Sequence, residues 1–285
     1  MKRFLKHAVQ AATPPILLSA VKRLLRPALP VLAGDAASSA GHHGAYARWE
    51  DAVAVAGGYD AQNILDVQRA AMRKVRDGEA AYERDSVLFD AVTLFHPMLS
   101  ALLYAASRNK GGLSVLDFGG ALGSSYYQNR DLLSHLSPLR WHVVEQPHFV
   151  AAGQAEFRNG ELDFFPTMEA SWAAAVPDVV LLSSVLQYFP DPVKLLQEIV
   201  TRGPRFILID RTPLLEAEPE CITVQTVPPS IYHASYACRL MAVPTIMAAL
   251  SAQYRLRFAF DACVGGPIPV GGRQAHHRGY FFERR

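Results

Sequence analysis

Asp117, Gly119, Gly120 and Gly123 stand together in the run Val115–Gly123, VLDFGGALG, where an apolar strand pattern ends in an acid and then a glycine-rich turn. Glycines let a ligand approach the backbone closely, and a helix starting at such a turn offers unpaired N–H groups. Two nucleotide-cofactor classes use turns of this kind. A dinucleotide fingerprint, GxGxxG, ending at Gly123 would need glycine where Phe118 stands. A ring there crowds a pyrophosphate, so a nicotinamide-dependent oxidoreductase is the disfavoured alternative. The pattern acid-x-Gly-x-Gly-x-Gly has Asp117, Gly119 and Gly123 in register, with Ala121 at its middle glycine. Alanine adds one methyl group, which is accommodated if its backbone dihedrals are ordinary.

These residues need strand ends to carry them. After Gly111-Gly112, short apolar runs alternate with helical stretches: LSVLDF, WHVVEQ, LDFFPT, DVVLLSS and RFILID. Five strands with crossover helices over Ser124–His135, His148–Phe157, Glu169–Ala174 and Asp191–Arg202 predict a doubly wound, mostly parallel, Rossmann-like α/β sheet. Asp191-Pro192 reads as the N-cap and first residue of the last helix. The runs YRLRFAFDA and GYFFERR predict an antiparallel closing strand pair. Right-handed crossovers place ligands at the C-terminal ends of the parallel strands. Glu145 and Gln146 then end the second strand, and Ser183 ends the fourth. Carboxylates at neighbouring strand ends, Asp117 and Glu145, repel unless a cationic or donor-rich group lies between them.

The first motif resembles that of class I S-adenosylmethionine-dependent methyltransferases. A narrower likeness runs from about Tyr46 to Phe282 through LDFGGALGSSYYQNR, WHVVEQPHFV, LLSSVLQYFPDP, LIDRTP and VQTVPPSIYHASY, preceded by Trp49-Glu50, Gly58-Tyr59-Asp60 and YERDSVLFD. These segments resemble a bacterial methyltransferase family associated with surface-polysaccharide gene clusters. The resemblance implies the fold and the cofactor, S-adenosylmethionine, whose ammonium would face Asp117 and whose ribose would face Glu145. Gly119, Gly120, Gly123, Gln146 and Ser183 complete the expected cofactor set. Tyr59, Asp60, Tyr82 and Arg84 enter only as contributors implied by the resemblance.

Methyl transfer is an in-line displacement governed by alignment, and a hydroxyl acceptor also needs a base for its proton. His233 and Asp210, at or beyond the end of the fifth strand, are the candidates. His233 has the better intrinsic pKa, while Asp210 has Arg211 and Arg239 as alternative ion-pair partners. Tyr126, Gln187, Tyr188 and Tyr236 would line an acceptor crevice suited to a polyhydroxylated molecule. The expected activity is O-methylation of a glycan precursor or another small hydroxyl-bearing metabolite. The alternative is a non-catalytic cofactor-binding or assembly module in envelope biosynthesis.

The 285 residues are half hydrophobic, 19% charged and 10% aromatic, a globular composition. Six Lys/Arg and no acid fall within residues 1–34, leaving the remainder at 22 bases against 26 acids. A nucleic-acid-binding domain concentrates its basic residues on the folded body, so no nucleic-acid partner is expected. Ile16 to Arg26 has a basic amphipathic pattern, which serves either packing against protein or peripheral contact at an anionic membrane face. Pro14-Pro15 and Lys22-Arg23 break any long apolar run, so neither an export signal nor a membrane span fits. A cytoplasmic location follows as the expectation. Three scattered cysteines and histidine pairs at adjacent positions, His42-His43 and His276-His277, imply neither a disulfide framework nor a metal site. The expected organisation is an arm over 1–32, a flexible linker over 33–45, a helical preamble or lid over 46–110, and the catalytic domain over 111–285.

Overall fold

The computed structural model describes residues 41–57, 61–229, 231, 233–262 and 266–285. The expected arm over 1–32 and residues 33–40 of the linker lie outside the described residues, as do Tyr59, Asp60 and Tyr232. No helix among the described residues is long and apolar enough to cross a membrane.

The described chain opens with β1 (Gly41–Tyr46), α1 (Trp49–Val55), α2 (Ala61–Arg76), the hairpin of β2 (Tyr82–Arg84) and β3 (Val87–Phe89), and α3 (His96–Ser107). Two sequence expectations are corrected here. Residues 41–45 of the expected linker form a strand instead, because β1 finds its ladder on a strand far along the chain, and His42 Nδ1 lies 3.1 Å from Thr223 Oγ1. Small polar residues carry no local sign of such a partner. Val87 to Phe95 is not helical either. Asp85 and Ser86 both hold left-handed backbone, φ 50° and 68°, and Arg84 pairs with Val87, so a two-residue primed turn folds a hairpin. Tyr82 and Phe89 stack across it at 4.6 Å.

The next stretch follows the strand–helix alternation: β4 (Leu113–Phe118), α4 (Ser124–Leu133), β5 (Leu139–Val144), α5 (Pro147–Glu156), β6 (Leu162–Phe165), α6 (Met168–Ala174), β7 (Val179–Ser183), α7 (Pro192–Arg202) and β8 (Phe206–Leu215). The strands pair in parallel in the order β6-β5-β4-β7-β8, and their direction of progress reverses between β4 and β7. Apolar runs such as Val179–Leu182 are completely buried because helices cover both faces. Asp191 caps α7 by accepting the Lys194 N–H at 3.0 Å, with Pro192 as its first residue.

Beyond β8 come β9 (Cys221–Thr226), β10 (Ser235–Ala242), α8 (Val243–Leu250), β11 (Tyr254–Asp261), β12 (Ile268–Val270) and β13 (Arg273–Arg284). β13 lies antiparallel between β8 and β11, which is the closing pair read from the sequence. The result is a Rossmann-like α/β architecture with an antiparallel closing pair. β8 outlasts its neighbour: its last rung with β7 is Ser183–Asp210, and further on β10 joins it at Leu214 and Leu215. β10, β9 and β1 continue as an antiparallel layer, against which α1 buries Ala52 among Ile222, Val224 and Ala237.

Candidate active site

The C-terminal ends of β4, β5, β7 and β8 border a crevice of about 910 Å³ whose other wall includes Trp49, Val53 and Ala56 from α1 and Ser235 to Ala237 from β10. This is where an open α/β sheet accommodates ligands, beside the reversal of strand order.

The glycine turn forms the inner wall. Gly119 has φ 72°, and a Cβ there would stand 2.7 Å from Val185 Cγ2. A Cβ on Gly120 would stand 2.5 Å from Asp117 Cγ, so the turn folds directly over its own acid. Gly123 takes left-handed backbone as the N-cap of α4. Ala121 departs from expectation: φ is 52°, so the residue replacing the middle glycine adopts the conformation that glycine prefers. Six described non-glycine residues share this disfavoured backbone, and four of them, Asp85, Ala121, Ser184 and Arg211, line the crevice, whereas Ser86 and Lys110 do not. Strain of this kind concentrates at functional sites.

Asp117 is only 1% exposed and accepts the Trp141 indole N–H at 3.1 Å. Burial pushes its pKa up to about 7, while Trp141 and Arg211 act in the opposite direction and Glu145 and Asp210 add repulsion. Glu145, at the tip of β5, accepts the Gln146 N–H at 2.8 Å. Burial raises its pKa too, partly countered by hydrogen bonds from the Gln146 and Ala121 backbones. Two carboxylates that resist ionisation therefore flank one turn, a setting that favours a cationic or donor-rich ligand.

A polar chain closes the floor. The Ser183 hydroxyl donates to Asp210 Oδ2 at 2.8 Å, and Arg211 Nε donates to Ser183 Oγ at 3.0 Å. Arg211 also lies 3.7 Å from Asp210 and 3.6 Å from Asp85. Burial raises the Asp210 pKa, with Arg211 the main opposing influence. Asp210 is not in this crevice lining, but it borders a smaller pocket that shares Arg84, Ser183 and Arg211 with the crevice. Arg239, the other partner considered for it, pairs with Glu220 at 3.4 Å.

The acceptor residues divide. Tyr188 and Tyr236 line the crevice with rings edge-on at 5.6 Å, and the Tyr188 hydroxyl donates to Gln225 Oε1 at 2.9 Å. Tyr126 points the other way. It is 4% exposed, lies beside Trp141 and donates to Glu161 at 2.8 Å, because its position on α4 faces the core. Gln187 is buried and donates to Ser184 Oγ at 3.0 Å, outside the lining. His233 is exposed on the turn before β10 and also lies outside the lining. Of the cofactor set, Asp117, Gly119, Gly120, Glu145, Gln146 and Ser183 all border the crevice. Sequence reading missed Trp141, Val53 and Asp85 in this setting. Only the Asp-Ser pair hinted at the hairpin turn. Among the described residues, no group of three or more His, Cys, Asp or Glu could hold a metal ion.

Neither the family models nor the curated proteins match this chain. Among solved structures, the N-terminal domain of EvdMO1, crystallised in the presence of SAH and D-fucose, is 13% identical, with 80% of this chain and 98% of that one covered and a TM-score of 0.46. Magnesium protoporphyrin IX methyltransferase (ChlM) from Synechocystis PCC 6803 is 14% identical over 67% of this chain and 77% of its own, with a TM-score of 0.41. The Burkholderia thailandensis 1,6-didemethyltoxoflavin-N1-methyltransferase is 15% identical over 86% and 99%, also with a TM-score of 0.41.

Proposed function

We propose that this protein transfers a methyl group from S-adenosylmethionine to a hydroxyl of a small acceptor, with a glycan precursor as the preferred class. The observation that carries this reading is the placement of Asp117 and Glu145 on either side of the glycine turn in one crevice. The donor set fits the cofactor: carboxylates suit its ammonium and its ribose diol, and the folded-over turn offers close backbone access. When bound, the sulfonium supplies an electrophilic methyl group. Glu145 would accept from the ribose hydroxyls, Asp117 would supply the countercharge, and Tyr188, Tyr236 and Trp49 would hold the acceptor in line. Alignment is then the main contribution of the chain. The acceptor's proton leaves towards solvent at the crevice mouth, since His233 and Asp210 lie outside the lining.

The glycan-precursor acceptor and a membrane-facing role for residues 1–32 rest on the resemblance and on the basic pattern of the arm. A second reading, cofactor binding without turnover, draws on the absence of both expected bases from the crevice lining. Titration calorimetry with S-adenosylmethionine, followed by labelled-methyl transfer to a panel of hydroxyl acceptors, tests both. Micromolar binding with transfer supports the first reading, binding without transfer supports the second, and no binding removes both.

A further inference from the structure

We propose that Arg84, on the β2–β3 hairpin, receives the carboxylate at the amino-acid end of the cofactor. This inference rests on the cofactor reading above. Among the described residues, Arg84 and Arg211 are the only Lys or Arg in the crevice lining, whereas Asp85, Asp117, Glu145, Glu169 and Glu198 all belong to it. A carboxylate entering such a wall meets repulsion unless a cation receives it. Arg211 is already engaged by Ser183, Asp210 and Asp85. Arg84 makes no ion pair among the described residues; its guanidinium rests 5.7 Å from the centre of the Tyr82 ring.

The hairpin is held where this charge is useful. Glu83, on the opposite face of β2, is buried, accepts the Ser86 N–H at 2.7 Å and takes the hydroxyl of Ser124, the first residue of α4. The turn residue Asp85 reaches Arg211 on β8. Arg84 therefore borders the crevice beside Ser124, Ser125, Ser183 and Arg211, at the β7–β8 side of the glycine turn, while Glu145 lies on the β5 side. With the ribose at Glu145, the chain leading from the sulfonium crosses the turn and brings its carboxylate towards the hairpin. A guanidinium fork is the side chain best matched to that group.

Two nucleosides separate this role from general damage to the site. S-adenosylhomocysteine carries the amino-acid end, and methylthioadenosine keeps the adenine, ribose and thioether without it. Calorimetry on the full chain should show wild type preferring S-adenosylhomocysteine. Arg84→Ala should weaken that ligand by about tenfold or more, the loss expected for a charge-assisted pair, and leave methylthioadenosine within about twofold. Arg84→Lys should recover part of the preference. An undiminished preference in Arg84→Ala overturns the proposal and directs the charge to the acceptor instead. Equal weakening of both ligands also overturns it, as that marks a structural role. If wild type binds methylthioadenosine as tightly as S-adenosylhomocysteine, the cofactor reading stands and Arg84 is excluded. If it binds neither, the cofactor reading falls and takes this role with it.

Discussion

Ser183 donates its hydroxyl to Asp210 at 2.8 Å across the last rung shared by β7 and β8, and the serine borders the crevice while both residues border the smaller pocket beside it. Substituting Asp210 with Asn keeps an acceptor for Ser183 but removes the charge near Arg211. The expected cost is about 1–3 kcal/mol of stability, read by urea denaturation, with methyl transfer within about threefold of wild type once folded protein is compared. His233→Ala should also retain transfer, since His233 is exposed outside the lining. Loss of transfer by more than about a hundredfold in either variant, with the fold intact, would restore that residue as a base.

Asp117 sets a pH dependence. Its pKa of about 7 in the folded protein stands above the value of about 4 for an unfolded aspartate. Between those values the native protein keeps a proton that the unfolded chain has released, so stability falls as pH rises from about 4 to about 7. Asp117→Asn should flatten that fall in thermal melts taken across this range. Binding of the cofactor's ammonium should favour the ionised carboxylate. Calorimetry near pH 6, repeated in buffers of different ionisation enthalpy, should therefore detect proton release in wild type and little in Asp117→Asn.

Glu145 is the ribose contact in the proposed site. Glu145→Ala should weaken S-adenosylhomocysteine by about 1.5–3 kcal/mol, roughly 10- to 150-fold, through the loss of charge-assisted hydrogen bonds. Methylthioadenosine carries the same ribose and should weaken in parallel, which distinguishes this residue from Arg84. Unchanged affinity for both nucleosides would remove Glu145 from the site.

Ala121 bears left-handed backbone at φ 52°. Glycine there relieves about 1–2 kcal/mol of conformational strain and loses about 0.4–1 kcal/mol through the freer unfolded chain. Ala121→Gly should therefore melt at the wild-type temperature or slightly higher, while a β-branched Ala121→Val should melt lower. A clear loss of stability in the glycine variant would show that the Ala121 methyl group contributes packing that outweighs the strain.

The N-terminal boundary is testable by truncation. A chain starting at Ala40 retains β1 and should bind the cofactor like the full chain. One starting at Tyr46 removes most of the strand that pairs with β9 from Gly41 to Tyr46, and it should lose stability in the layer that carries Ser235 to Ala237. Equal melting of the two chains would mean that β1 adds nothing to that layer.

Local pattern alone was enough for the five parallel strands, the capped start of α7 at Asp191-Pro192, the closing pair and the glycine turn with its two acids. Each depends on contiguous residues: apolar runs covered on both faces, a side chain that caps its own helix, and glycines placed for a tight turn. Tertiary structure decided what lay across the crevice. β1 is a strand only because β9, far along the chain, completes its ladder, and nothing in GHHGAY announces that partner. The hairpin that presents Arg84 is anchored by Glu83 to Ser124. Tyr126 turned inward and Tyr188 outward although both are tyrosines just beyond a strand end, because helix phase and the rotation of a short turn set their directions. Ser183 met Asp210 across the sheet because β7 and β8 pair in that register, and which side chains meet across a sheet is a property of register rather than of sequence neighbours.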